Sequence, residues 1–214
     1  MNFALRHEAH DHSGHAAPRL ARIEVLRRFE DAEKTWRALD AAGAIHSPYQ
    51  GFDWVTLWHR HVTRLRGAAP LVVIGYDNHD YPLFLWPLVL QHRGPLAFAT
   101  YVGGKHSTLN LPVWRPDYAN RVTAFELNLI LDQIARRLPE LDLLVLLSQP
   151  TAWNGLANPL TILPHQQASD DTYRLNLVAS PDPASSNISQ GMRRRLRKKE
   201  NQLAKLPGYR GLPH

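Results

Sequence analysis

The stretch VGGKHSTLNL, residues 102–111, places three polar side chains of different chemistry close together. His106 carries an imidazole, Ser107 a hydroxyl and Asn110 an amide, so the three could bind a polar substrate. They fall in a loop, 103–117, that is too long for a simple turn, and loops on a rigid scaffold often carry binding residues. The sequence therefore predicts a substrate-binding loop here. The alternative is a structural loop whose glycines allow positive φ.

A second candidate is the basic segment SQGMRRRLRKKENQLAK, which begins at Ser189. Its Arg193, Arg194 and Arg197 could contact the phosphates of a coenzyme, of a lipid-linked sugar or of nucleic acid, and a solvated charged face is the alternative. The segment has no aromatic residue, which argues against base stacking. An apolar stripe on the same helix indicates packing against protein. It consists of Ile188, Met192, Leu196, Leu203 and Leu206.

The net charge of +6 is concentrated in this basic segment. Residues 191–214 contain eight Lys/Arg and one Glu, which leaves 17 basic and 18 acidic residues in the other 190. The globular part is therefore close to neutral. Charge alone gives no reason to expect nucleic acid as a partner.

The composition excludes several catalytic classes. The chain has no cysteine, so it has no disulfide, no thiolate metal site and no cysteine nucleophile. It contains neither a Gly-x-Ser-x-Gly elbow nor a His-Glu-x-x-His helix. Four closely spaced histidines would suit a divalent ion, but they lie in a loose tail, where ordering costs entropy, so we predict no metal site. They are His7, His10, His12 and His15.

The sequence shows no targeting or membrane segment. The first fifteen residues lack an apolar signal core. The longest apolar runs, 82–90 and 141–147, are too short to span a bilayer. We therefore expect a soluble, cytoplasmic protein without a transmembrane segment.

The elements that must position these residues follow from the spacing of apolar positions. Period-2 alternation or short apolar runs predict strands at 19–29, 70–77, 81–90, 95–102, 141–149 and 171–179. Helical spacing predicts helices at 30–43, 47–62, 118–138 and 150–158, and a final helix from 189. A long helix between an antiparallel meander and an apolar strand predicts an α/β (α+β) fold with a mixed sheet flanked by helices.

Some of these predictions are specific to residues. The run at 141–149 is expected to be a central strand covered on both faces. The helix at 118–138 is expected to bury one face, and Pro87 needs an edge site or a bulge because it lacks an N–H. The expected buried face contains Val122, Phe125, Leu129 and Ile134. His59 and His61 are expected on the surface.

Five of the six tryptophans have a predicted place. Four of them, Trp36, Trp54, Trp58 and Trp86, fall on predicted core positions. Trp114, in the loop, is the one expected to line a cleft.

Four stretches, in this order, resemble one known family. HSPYQGFDWVTLWHRHV is similar to its helix entry, LVVIGYDNHDYPLFLWPLVLQHRG to its hairpin, VGGKHSTLNL to its Gly-Gly-x-x-His-Ser loop and ISQGMRRRLRKKENQLAK to its Lys/Arg-rich helix. Together they resemble the CelD/BcsL-type, BioF2-like acetyltransferases of bacteria. These belong to the GCN5-related N-acetyltransferases (GNAT) and are relatives of the FemAB peptidyltransferases. The resemblance runs from about Arg22 to Tyr209.

The resemblance implies an acyltransferase of two GNAT-like lobes that pack side by side. It implies acetyl-CoA or another acyl-CoA as donor, held mainly by the second lobe, and an amine on a small molecule or saccharide as acceptor. The loop at 103–117 would face that acceptor across the cleft between the lobes. The three arginines of the basic segment would be the residues that meet the phosphates of CoA.

On this interpretation, residues 1–18 are a flexible His-rich tail, 19–184 are the GNAT-like N-terminal lobe and 185–214 are the basic helix that opens a truncated second lobe. This chain alone is then expected to be inactive, and the catalytic base is not identified. The alternative is a non-catalytic binding module that presents the basic helix to an anionic partner.

Overall fold

The structure is a computed structural model, and it describes residues 19–168 and 189–206. The chain divides into two units, Met1–Ala168 and Ser169–His214. The first unit has an α/β fold in which a mixed sheet of six strands is flanked by helices. The His-rich tail at 1–18 and the predicted strand at 171–179 lie outside the described residues.

The first unit contains eight described strands and four described α-helices. The strands are β1 (Arg22–Leu26), β2 (Ala69–Tyr76), β3 (Pro82–Arg93), β4 (Leu96–Tyr101), β5 (Val113–Trp114), β6 (Leu143–Val145), β7 (Ala152–Trp153) and β8 (Leu156–Ala157). The helices are α1 (Glu33–Ala41), α2 (Phe52–Trp58), α3 (Pro116–Ala119) and α4 (Ala124–Arg137).

The sheet combines antiparallel neighbours with one parallel neighbour. Its order is β1-β2-β3-β4-β6, and β5 pairs with β3. The strands β2, β3 and β4 form the predicted antiparallel meander, whereas β6 pairs parallel with β4. The helix α4 makes the crossover between them, because a parallel neighbour cannot be reached through a tight hairpin. The predicted mixed sheet flanked by helices is confirmed.

Pro87 lies in β3 where one side of the strand has no paired neighbour. On one side of β3, Pro87 is opposite Val72 of β2. On the other side, β5 pairs with β3 as far as Leu85 and β4 begins its pairing at Leu88. The sequence predicted an edge site or a bulge. At Pro87 the structure gives a local edge, because that side of β3 has a gap between its two partners.

Both faces of the meander are buried, which explains the nearly continuous apolar runs of β2 and β3. On one face, α1 and α2 pack Trp36 and Phe52 against Val72 and other residues of the sheet. On the opposite face, α4 covers a cluster rich in aromatic rings. That cluster includes Phe84, Trp86, Trp114 and Tyr118. Trp36 and Trp86 are fully buried, as predicted.

The helix α4 begins at Ala124 rather than at 118, and this start changes its buried face. Thr123 and Glu126 form a capping box: Thr123 Oγ1 accepts from Glu126 N at 3.2 Å, and the Glu126 carboxylate accepts from Thr123 N at 3.2 Å. The buried residues of the helix are Leu127, Ile130 and Ile134. Burial was correctly predicted for Val122 and Ile134, but the prediction for Phe125 and Leu129 was wrong, since their exposed fractions are 72% and 39%.

The strand β6 is shorter and more exposed than its apolar sequence predicts. It pairs with β4 and has no second strand neighbour within the described ranges. Leu143 is 52% exposed, and Leu147, just after the strand, is 66% exposed. The prediction of a central strand covered on both faces is wrong for these residues. A run of leucines identifies an apolar segment but does not fix how many strands lie beside it.

Residues 150–158 form a hairpin of β7 and β8 instead of the predicted helix. Asn154 and Gly155 lie between the two strands with φ of 48° and 82°. Asn-Gly is a preferred pair for a two-residue turn with positive φ at both positions, a conformation that a right-handed helix cannot contain. The signal for the hairpin was therefore present in the sequence.

The described helix of the second unit is α5 (Gln190–Leu203). Ser189 caps its N-terminus, because Ser189 Oγ accepts from Met192 N at 3.3 Å. The side chains along this helix are exposed. Across residues 19–168 and 189–206, no helix is long and apolar enough to cross a membrane.

Candidate substrate-binding site

A short backbone bridge brings two of the family-like stretches together. Ile45 N donates to Trp114 O at 2.8 Å, and Trp114 N donates to Ile45 O at 3.0 Å. This pairing holds the chain that follows Ile45 beside the loop that precedes β5. Ser47 Oγ then lies 2.6 Å from the carbonyl oxygen of Leu109 and 2.6 Å from Gln50 Oε1. The single hydroxyl proton can be donated to one of these acceptors at a time.

Asn110 ties the loop to both of its neighbours. Its Oδ1 accepts from Gln50 Nε2 at 3.0 Å and from Ser107 Oγ. Its Nδ2 donates to Ser107 O at 3.1 Å and to Leu147 O at 3.2 Å, and its backbone N donates to Ser148 O at 2.9 Å. These bonds use all the polar groups of the side chain, so Asn110 fixes the loop against the end of β6.

The four side chains of this polar network are almost completely buried. Ser47, Gln50, Ser107 and Asn110 are each at most 4% exposed. The structure therefore places Ser107 and Asn110 inside the protein, with their polar groups hydrogen-bonded to it. His106 is the one of the three predicted substrate-binding residues whose side chain faces solvent.

Outside the polar network, four rings lie in contact, and we call them the aromatic row: Tyr49, Trp54, Trp58 and His106. Trp54 and Trp58 stack nearly parallel, with ring centroids 5.2 Å apart and an interplanar angle of 10°. Tyr49 meets Trp54 edge-on at 5.3 Å, and His106 lies 5.4 Å from Trp58 at the other end. The first three rings are half-buried. The aromatic row is thus partly packed, at its first three rings, and exposed at His106.

Gly103 lets the loop pass directly over the aromatic row. Its φ is +105°, in the region that favours glycine. A Cβ at this position would lie 2.6 Å from Trp54 Cη2 and 2.8 Å from Ser107 Cβ. The backbone at Gly103 therefore touches the Trp54 ring, and the turn that follows carries His106 to Trp58. The glycine is required by this close approach as well as by its φ.

The helix α2 continues into a π-helix, His59–Thr63, immediately after Trp58. Single-turn π segments occur often at functional sites. His61 is exposed, as predicted. His59 is half-buried instead: its Nδ1 is 2.8 Å from Thr63 Oγ1 and its ring meets Phe29 at 5.3 Å, edge to face. Burial lowers the pKa of His59 below its ordinary value.

His46 contacts Asp40, a pairing that the sequence analysis missed and that is an ion pair when the imidazole is protonated. Its Nε2 is 2.9 Å from Asp40 Oδ1, and its Nδ1 is 2.8 Å from Ser47 O. Burial disfavours the charge, but the hydrogen bonds to the Asp40 carboxylate and the Ser47 carbonyl outweigh it and raise the pKa of His46 above its ordinary value. The His46 ring therefore joins α1 to the start of the polar network. Asp40 and His46 are six residues apart and lie on either side of a chain reversal. The residue spacings of helices and strands therefore did not predict this pair.

One of the three tryptophans of this region is placed differently from the prediction. Trp54 and Trp58, expected at core-facing positions, are half-buried and pack against the core cluster under α1 and α2. Trp114, expected to line a cleft, is fully buried in β5 and meets Phe84 at a ring distance of 5.4 Å. The four-residue spacing of Trp54 and Trp58 shows that they share a helix face. It does not show how far the neighbouring loop covers that face.

The charged groups near the aromatic row are few. Asp53 on α2 is engaged by Arg37 Nη2 at 2.7 Å, and the same guanidinium binds Glu33 at 2.8 Å. The loop residues 103–112 include one cation, Lys105, which is exposed, and no acid. The loop therefore contributes one positive charge, and the acid on α2 is paired with Arg37.

A groove of about 480 Å³ lies beside α4, away from the residues of the aromatic row. The exposed Phe125 and Leu129 line it, together with Arg19 and Thr123. The early residues of α4 that the sequence assigned to the core therefore face this groove.

The remaining predicted site residues, Arg193, Arg194 and Arg197, lie on α5 in the second unit, with exposed side chains. Among the residues the structure describes, no group of three or more His, Asp or Glu side chains could hold a metal ion. Comparison of the chain with protein-family models, with curated proteins and with solved structures gave no match.

Proposed function

We propose that this chain is the first lobe of a GNAT-type N-acyltransferase, which transfers an acyl group from acyl-CoA to an amine. A role in polysaccharide or cell-envelope biosynthesis is part of this proposal. In that reaction the amine nitrogen attacks the thioester carbonyl, the C–N bond forms and the C–S bond breaks. A base takes the proton of the amine, and CoA leaves as the thiol.

The sheet topology is the observation that carries the proposal. The antiparallel meander of β2, β3 and β4, followed by a helix and a parallel strand beside β4, is the arrangement expected for the lobe. A second support is that two family-like stretches meet. The chain after Ile45 and the loop 103–112 share one buried polar network, and the aromatic row lies on its outer side.

The proposal assigns different partners to the two units. The acceptor amine would lie at the aromatic row, where His106 is exposed. Donor phosphates would be met by Arg193, Arg194 and Arg197 of α5, since guanidinium groups bind phosphate oxygens in bidentate fashion. The residues that grip acyl-CoA belong, by resemblance, to a second lobe. We therefore expect residues 1–214 to bind acetyl-CoA weakly or not at all.

The test begins with the gene beyond the codon for His214. We expect a reading frame that encodes a strand, a helix and a glycine-rich loop, and the protein it encodes should release CoA from acetyl-CoA only when an amine is added. Release of CoA is followed with a thiol reagent, and Arg193→Ala/Arg194→Ala/Arg197→Ala should raise the KM for acetyl-CoA. Micromolar binding of acetyl-CoA by residues 1–214, measured by isothermal titration, would contradict the assignment of acyl-CoA binding to a second lobe.

The charge of α5 favours a second candidate, a non-catalytic module that presents a basic helix to an anionic partner. Residues 189–206 contain seven Lys/Arg and one Glu. Binding that depends on these charges falls steeply with salt, because condensed or bound ions are released. Titration of an anionic polymer at low and at physiological ionic strength tests this, and a flat salt response would exclude it.

A further inference from the structure

We infer that α5 binds the surface of an anionic lipid membrane and lies along it, with its apolar stripe toward the acyl chains. This inference rests on the second candidate function, in which α5 faces an anionic partner, and it names that partner. The side chains of residues 189–206 are exposed along the whole helix, so both its apolar and its charged positions can meet a surface.

Four described members of the apolar stripe remain exposed in the folded chain. Met192, Leu196 and Leu203 share one side of the helix, because residues four or seven apart lie on the same face. Leu206 follows in the turn after the helix, where its N donates to Leu203 O at 2.9 Å. The four side chains are between 44% and 56% exposed. Their burial against an apolar partner would stabilise the complex, and contacts of arginines with phosphates make no use of them.

One position in line with the stripe carries a lysine. Lys199 is three residues after Leu196 and four before Leu203, so it lies on the same face as both. In a protein interface its ammonium group would be buried and would need a carboxylate partner, since an unpaired buried charge is costly. At a membrane surface the stem of a lysine lies along apolar groups while its ammonium group reaches the headgroups. The interrupted stripe therefore suits a bilayer surface better than a protein interface.

The charge of the helix complements an anionic surface. Residues 189–206 contain seven Lys/Arg against one Glu, a net charge of +6. Arg195 is three residues after Met192 and four before Lys199, so it borders the stripe and would lie at the depth of the headgroups. Basic residues at that depth are attracted to anionic lipids. The same charge opposes a second copy of this chain as the partner, because two such helices repel each other.

Nucleic acid would use the cations of α5 but not its stripe. Phosphates bind Lys and Arg side chains, and bases stack on aromatic rings, of which residues 189–206 have none. The exposed apolar side chains would stay in water beside such a partner. A lipid surface offers anionic headgroups and acyl chains together, so it accounts for both the cations and the stripe.

The test is cosedimentation of residues 1–214 with vesicles of phosphatidylglycerol and phosphatidylcholine in equal amounts, compared with vesicles of phosphatidylcholine alone. We expect partition into the anionic vesicles to be at least about tenfold stronger and to weaken with salt. Leu196→Gln/Leu203→Gln should lower it about tenfold or more through lost apolar burial, while glutamine keeps the helix propensity. Leu65→Gln, at a leucine that is 79% exposed in the first unit, is the matched control and should bind as wild type does.

A second pair of variants measures the contribution of charge. Arg195→Gln/Lys199→Gln removes the two cations at the stripe and should also lower the partition about tenfold or more. Arg136→Gln/Arg137→Gln, which removes two exposed cations at the end of α4, should lower it less than about twofold. Circular dichroism and urea denaturation establish that each variant folds.

Equal partition into the two kinds of vesicle, or a loss in the charge variant without a loss in the stripe variant, would overturn the inference. So would tighter binding of a DNA duplex than of anionic vesicles at the same salt, or a dimer in light scattering that Leu196→Gln/Leu203→Gln dissociates. Binding of an anionic polymer but not of vesicles would remove this inference and leave the second candidate function. Vesicle binding by a longer protein that also transfers acyl groups would leave the inference standing and remove the non-catalytic module.

Discussion

The inner and outer sides of the loop 103–112 contrast sharply, although the same ten residues form both. On the inner side, Ser107 and Asn110 are buried and hydrogen-bonded to each other, and Asn110 also bonds to Gln50 and to Leu147 in two other segments of the chain. On the outer side, Lys105 and His106 are exposed, and the His106 ring contacts the ring of Trp58. The inner side therefore sets the position of the loop, whereas the outer side carries its exposed side chains. Substitutions on the two sides should differ in their effect on stability.

The largest effect on stability is expected from Asn110→Ala on the inner side. The change leaves Gln50 Nε2, the Ser107 hydroxyl and the carbonyl of Leu147 without their partner. Buried polar groups without partners cost about 1–3 kcal/mol each, so we expect a loss of about 3 kcal/mol in the free energy of unfolding. Urea denaturation measures it, with Thr108→Ala as the exposed control in the same loop. Equal stability of the two variants would mean that the polar network does not hold the loop.

A pair of glycine variants separates backbone conformation from close contact. Gly103→Ala places a Cβ 2.6 Å from Trp54 at a φ of +105°, whereas Gly104→Ala, at a φ of +51°, meets nothing within 4 Å. Strained positive φ costs about 1–3 kcal/mol, and we expect Gly103→Ala to lose at least about 1 kcal/mol more than Gly104→Ala. Thermal unfolding gives the difference. Similar losses would show that φ alone explains the need for glycine at this turn.

The third prediction concerns pH and the residue that precedes the polar network. The pKa of His46 is raised in the folded protein, so its stabilising contribution is fully present below about pH 6.5, the ordinary pKa, and is lost as the pH rises through the folded pKa. His46→Gln should therefore cost about 1–2 kcal/mol at about pH 5 and less at about pH 9. Urea denaturation at the two pH values tests this. A cost that does not change with pH would show that His46 contributes through its neutral form.

The smallest effect on stability is expected from His106→Ala on the outer side. The side chain is exposed and its recorded contact is one ring, so the free energy of unfolding should change by less than about 0.5 kcal/mol. Chemical denaturation of wild type and of His106→Ala measures the change. A large loss of stability would place His106 with the inner side and would break the contrast between the two.

The sequence predicted the outline of this fold better than the placement of its residues. The meander and the crossover helix follow from apolar periodicity, which local sequence carries. The exposure of Phe125 depends on where α4 begins. Thr123 and Glu126 fix that start through a capping box, which the spacing of apolar residues does not reveal. Likewise, the Asn154-Gly155 pair predicts a hairpin turn at 150–158. The apolar residues of this segment, taken alone, predicted a helix there.

The sequence located the loop of the candidate site but not the direction in which its side chains face, for a physical reason. Residue types located the loop with His106, Ser107 and Asn110, because long loops with polar side chains are recognisable in one dimension. Which of them would face inward depended on contacts with Gln50 and Leu147, which are far away in the sequence. The stack of Trp54 and Trp58 was visible as a helix spacing, but its third and fourth rings come from Tyr49 and His106 in other segments.

The loop 102–112 begins and ends at the gap beside Pro87. The strand β4 leaves β3 opposite Leu88, and the chain returns as β5 opposite Leu85, on the same edge and in the same direction. In effect, β4 and β5 are one strand interrupted by the loop 102–112. The two ends of this loop lie opposite positions of β3 that are three residues apart, about 10 Å. A longer or shorter loop should therefore leave the register of the sheet unchanged. The surface of the loop could then vary during evolution while the strands keep their pairing.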